Sequence, residues 1–116
     1  MINVESDFEH EGLRCVVVKQ PMGHRCGYVG VPKGHTLYGK DAFDTKDESL
    51  WDISVHGGLT YSEGGEMNKY PVESIDTWWF GFDTAHYWDT KDPKSTEYCI
   101  NECKKLAEQL QEVEND

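Results

Sequence analysis

Long apolar runs are missing from these 116 residues, and none approaches the roughly 20 needed to span a bilayer. Aliphatic residues are scarce too: hydrophobic types make up 37% of the chain, so the core must lean on four Trp, six Tyr and four Phe. No C-x-x-C pair occurs among Cys15, Cys26, Cys99 and Cys103, which argues against a zinc ribbon or a disulfide framework. Four reduced thiols acting as small hydrophobes are expected instead. The N-terminal residues carry no apolar signal-type segment, so the expected setting is the cytoplasm. Missing as well are H-E-x-x-H, G-x-S-x-G, a P-loop and a dinucleotide fingerprint, so no familiar catalytic or nucleotide site is declared.

Acidic residues are absent from one long region. Between Arg14 and Lys40 there is no Asp or Glu, whereas Arg14, Lys19, Arg25, Lys33 and Lys40 lie there with His24 and His35. The whole chain carries a net charge of −11, which disfavours generic binding to nucleic acid or to anionic membranes. A cationic island in an acidic protein suggests an anionic ligand. The competing reading is that these bases pair with carboxylates brought from elsewhere by the fold.

Patterning predicts an α+β domain: a small antiparallel sheet of four or more strands, covered on one face by a C-terminal amphipathic helix. Residues 1–12 read as an acidic, flexible lead-in or an edge segment, and 13–116 as the single domain. Strands are expected at 14–19 and 25–31, joined by the turn Gln20-Pro21-Met22-Gly23. Residues 36–51 lack a period and read as a long ordered loop with one helical turn. A third strand is expected at 52–61, where Ile53, Val55, Leu59 and Tyr61 alternate, followed by a connection over 62–76. The run from Thr77 to Phe82 is apolar on both faces, as in an internal strand. Asp92-Pro93 offers a cap and a first helical residue, and Cys99, Cys103, Leu106, Leu110 and Val113 form the buried stripe.

Three stretches combine glycine, histidine and aromatics. They are Gly27-Tyr28-Val29-Gly30-Val31-Pro32-Lys33-Gly34-His35, Val55-His56-Gly57-Gly58-Leu59-Thr60-Tyr61, and Trp78-Trp79-Phe80-Gly81-Phe82-Asp83-Thr84-Ala85-His86. Together with Glu102-Cys103-Lys104-Lys105-Leu106-Ala107-Glu108-Gln109-Leu110, they resemble the signature of a family of small, largely uncharacterised bacteriophage and prophage proteins. The likeness runs from about residue 26 to residue 110, with Thr36 standing where the family pattern has Pro and Thr84 where it has Cys. It implies a phage setting, the host bacterial cytoplasm, and a role against host defence; it implies no agreed activity.

Three function classes follow. In the first, the protein binds an anionic, nucleotide-like small molecule and sequesters a host-defence signal. Arg25, Lys33 and Lys40 would neutralise phosphate, Tyr28, Tyr38 and Trp79 would stack, and His35, His56 and His86 would donate hydrogen bonds. In the second, His56, Asp83 and His86 catalyse hydrolysis of such a nucleotide. No cofactor and no metal are expected, and His35, His56, Asp83 and His86 are the residues that would ligate an ion if one were used. In the third, the acidic surface blocks a host defence protein by mimicking nucleic acid. A homo-oligomer is a further expectation, because a small sheet leaves open edges.

Overall fold

The computed structural model describes residues 3–85 and 94–115. Five strands, β1 (Asn3–His10), β2 (Leu13–Lys19), β3 (Arg25–Pro32), β4 (Tyr61–Asn68) and β5 (Ser74–Asp83), form one sheet of order β1-β2-β3-β5-β4. Every pairing is antiparallel. A 20-residue helix, α1 (Thr96–Asn115), packs against β1, β2 and β3. The α+β architecture expected from patterning is therefore present. Among the described residues no helix is long and apolar enough to cross a membrane.

β1 is an edge strand, pairing along β2 from Asn3↔Lys19 to His10↔Leu13. The two strands meet in a two-residue turn, Glu11 (φ 55°) and Gly12 (φ 76°), whose positive φ values suit the right-handed twist of a hairpin. The β2–β3 hairpin turns as expected, with the Gly23 amide donating to the Gln20 carbonyl at 2.9 Å.

Strand alternation builds two cores. Leu13, Cys15 and Val17 of β2, Val29 and Val31 of β3, and Phe80 and Phe82 of β5 face α1, where they meet Cys99, Cys103, Leu106, Ala107 and Leu110. The intervening residues Val16, Val18, Cys26, Tyr28 and Trp79 form a smaller core on the opposite face, closed by Tyr61, Tyr70 and Val72. Two motif glycines make these layers fit. A Cβ on Gly27 would lie 2.7 Å from Cys103 Sγ and would strike the Phe82 ring, and one on Gly81 would lie 2.5 Å from the Tyr28 ring. Neither ring could lie on its strand if that strand carried a side chain.

Two expectations need correcting. Of the strand expected at 52–61, residues 52–60 are irregular chain, and Tyr61 opens β4, the fourth strand in sequence, which runs on into the segment expected to be a connection. Ile53, Val55 and Leu59 do pack on the core, but their backbone is held by helix side chains rather than by a ladder. Gln109 accepts from the Ser54 amide at 2.7 Å and donates to its carbonyl at 2.8 Å, and Glu102 accepts from the His56 amide at 2.9 Å. Alternation thus reported burial without reporting strand pairing. The helix, in turn, begins at Thr96, with the Ser95 hydroxyl accepting from the Tyr98 amide at 3.0 Å as its cap. Asp92 and Pro93, which were expected to open it, lie outside the described residues.

Candidate functional site

The cationic island is largely consumed by the fold. Arg25, at the start of β3, forms an ion pair with Glu5 of β1 and donates to the Lys94 carbonyl at 2.8 Å; Thr96 bonds the same carboxylate at 3.0 Å. Arg14 grips Asp7 with two hydrogen bonds, of 3.0 and 2.7 Å. These guanidiniums hold the Glu5 and Asp7 carboxyls below their ordinary range. Lys40 lies 3.2 Å from Asp47, whose carboxyl is brought down to about 2, chiefly by the Ser49 hydroxyl and amide that donate to it. The acids that pair with Arg25 and Arg14 come from β1, so for these bases the structure follows the competing reading. Lys33 is exposed in the turn after β3.

The aromatic and histidine candidates are dispersed. Tyr28 is buried in the smaller core, sharing a 2.6 Å hydrogen bond with the Tyr70 hydroxyl and meeting the rings of Tyr61 and Tyr70 edge-on at 5.1 and 5.3 Å. Burial raises its hydroxyl far above the usual phenol value. Trp79 is fully buried beside it, its indole donating to Ser74 at 3.0 Å. His35 and Tyr38 lie on the other face of the sheet. The His35 side chain is buried, with Nδ1 accepting from the Leu37 amide at 3.0 Å and Nε2 donating to Gln111 at 3.1 Å, so it fastens the loop to α1. Tyr38 packs against Trp78. His56 shares a 2.8 Å hydrogen bond with Tyr98 of α1.

Asp83 is on the opposite side from His56. It is the register partner of Cys26, which belongs to the smaller core, whereas His56 rests against the helix. The expected His56–Asp83 pairing is therefore not formed, because successive strand residues face opposite ways and the sheet separates the two. Asp83 instead meets His24 and Cys26, and one ligand atom from each lies within 4.8 Å of the others. His24 and Cys26 are close in sequence, but only the β3–β5 register brings Asp83 to them. His86, a candidate in all three sets, lies outside the described residues.

The loop after Lys40 presents an acidic surface. Residues 41–47 run as successive turns, with the Asp41 and Asp44 side chains accepting from the Phe43 and Lys46 amides at 2.8 and 2.9 Å. The 3-10 turn Glu48–Leu50 follows, capped by Asp47. Two depressions, of about 340 and 580 Å³, meet at Asp41 and Phe43. Asp44, Asp47, Leu50 and Trp51 line the first, and Tyr61, Glu63 and Trp78 the second. Phe43 is 65% exposed and Trp51 62%, on turns held in place by hydrogen bonds. In the sequence this stretch shows aromatics among acids without a period, a pattern that indicates an ordered loop and does not by itself mark a binding surface. Compared with known proteins, the chain matches no family model, no curated protein and no solved structure.

Proposed function

We propose that this chain is a non-catalytic binding protein that docks a positively charged partner protein on its acidic, aromatic-tipped loop surface. One observation carries the reading: Phe43 and Trp51 stand largely exposed within depressions lined by Asp41, Asp44, Asp47 and Glu63. Apolar rings on a hydrogen-bonded scaffold lose little conformational freedom on binding, and aromatic anchors dominate many interfaces. Carboxylates around them select a basic surface and speed its approach. Arg and Lys of the partner would gain both ion pairs and contacts with ring faces. Flat rings between negative charges also imitate the bases and phosphates of a single nucleic-acid strand. The phage resemblance suggests a host defence protein as the target.

The nucleotide-binding reading draws less support, because Arg25, Tyr28, His35 and Trp79 hold the fold together and lie on different faces of the sheet. The hydrolytic reading draws less still, since His56 and Asp83 are separated by the sheet.

Fluorescence anisotropy with a labelled, synthetic arginine-rich peptide tests the proposal. Phe43→Ala/Trp51→Ala should weaken binding at least about tenfold while shifting unfolding stability by no more than about 0.5 kcal/mol. Met67→Ala/Ile75→Ala, which removes two exposed apolar side chains elsewhere, should leave affinity unchanged. Equal binding by the ring-deleted protein would reduce the interaction to net charge and overturn the proposal. An intact nucleotide adduct in native mass spectrometry, lost in Lys33→Ala, would favour the anionic-ligand reading in its place.

A further inference from the structure

We propose that His24, Cys26 and Asp83 form a three-ligand site for a zinc-class divalent cation, at the end of the sheet where β3 begins and β5 ends. The site is separate from the acidic loop surface and does not depend on it.

Strand geometry assembles the ligands. His24 is the residue immediately before β3, Cys26 is the second residue of that strand, and Asp83 is the register partner of Cys26 on β5. One ligand atom from each lies within 4.8 Å of the others, and His24 Nε2 is 3.9 Å from Asp83 Oδ2. Around tetrahedral zinc, with sulfur at about 2.3 Å and nitrogen or oxygen at about 2.0–2.2 Å, ligand atoms stand roughly 3.3–3.7 Å apart. Small side-chain rotations close that difference, and His24 and Asp83 are free to make them, with side chains 28% and 37% exposed.

The donors narrow the ion. Thiolate, imidazole and carboxylate suit zinc or cobalt; magnesium and calcium require oxygen shells. Surrounding contacts already resemble a supporting shell. The Gln20 side-chain amide points at Cys26 Sγ from 3.7 Å, and the Ala85 amide donates to Asp83 Oδ1, which leaves Oδ2 toward His24. On binding, the Cys26 S–H bond breaks, its proton passes to solvent and the sulfur pair forms the metal bond, with no change of oxidation state. Three protein ligands leave a fourth position for water or for a donor from a bound molecule. The ion would staple the last residue of β5 to Cys26 and to the residue that leads into β3.

Titrating the chelator-treated full chain with cobalt(II) chloride tests this, read by the thiolate-to-cobalt charge-transfer band and then by displacement with zinc. One equivalent should bind with that band. His24→Ala and Asp83→Asn should each weaken binding at least about tenfold, the scale on which even outer-shell groups tune metal affinity. Cys26→Ser should abolish the band; should that variant fold poorly by circular dichroism, the other two decide, since their side chains are partly exposed. Absence of the band in the unmodified protein, its persistence in Cys26→Ser, or unchanged affinity in His24→Ala would overturn the proposal.

Discussion

Segment 14–40 and segment 41–63 invert each other in charge and in fate. In the first, Arg14, Arg25 and Lys40 are each tied to a carboxylate, Tyr28 is buried among other tyrosines, and His35 is locked to α1. In the second, Asp41, Asp44 and Glu63 border open depressions, and two large rings stay in solvent. Arg14 and Arg25 lie on strands, and β1 supplies a carboxylate to each; Lys40 takes Asp47 from the acidic loop. Asp41 and Asp44 lie on turns whose backbone is satisfied locally, and Glu63 lies on the edge strand β4, so this surface is not spent on pairing strands. A local excess of one charge thus indicates a ligand only after the fold has drawn its own pairs from it.

Removing the Tyr28 ring should break the first segment hardest. Tyr28→Ala empties the space over Gly81 and between Tyr61 and Tyr70, and urea unfolding should show a loss of about 3–5 kcal/mol. A loss below about 1 kcal/mol would mean that the smaller core contributes little and that Tyr28 is available for a ligand. Arg25→Ala comes next. It strips the charged partner from Glu5 and from the Lys94 carbonyl, and should cost about 1.5–3 kcal/mol. Exposed Lys33→Ala, in the same segment, should stay within about 0.5 kcal/mol. Equal effects from the two bases would erase the distinction between engaged and free charge.

Asp47 sharpens the contrast most gently. Its carboxyl sits near 2 in the folded loop against an ordinary 3.8, so the folded loop favours the ionised form. The stabilisation it gives is fully present above the ordinary value and is lost as pH falls through about 2. NMR titration of the Asp47 carboxyl carbon and the Ser49 amide should report one midpoint near 2. A midpoint near 3.8 would show the cap of the 3-10 turn to be open in solution.

Much of the fold was legible in the residues themselves. The β2–β3 hairpin and β5 are near-continuous apolar runs that match burial on both faces, and α1 carries a stripe that matches burial on one. β4 was hidden because Tyr61–Asn68 is an edge strand with glycines in it and few apolar residues to bury. The Ile53–Leu59 alternation misled because helix side chains can satisfy a backbone as well as a neighbouring strand does. The site was less legible. Glu5 meets Arg25 and Asp83 meets His24 only through long-range strand pairing, which no local window contains.

Gly27 and Gly81 have a bearing on how shared motifs are to be interpreted. Each is a vacancy that an aromatic ring must occupy, so neither position tolerates replacement while the neighbouring ring is kept. A chain that lays a ring over each of these two positions needs glycine beneath it, whatever it binds. A signature written by packing certifies common architecture and leaves the ligand free to diverge. The acidic loop over residues 41–51 carries no such packing demand, so a change of partner would be written there.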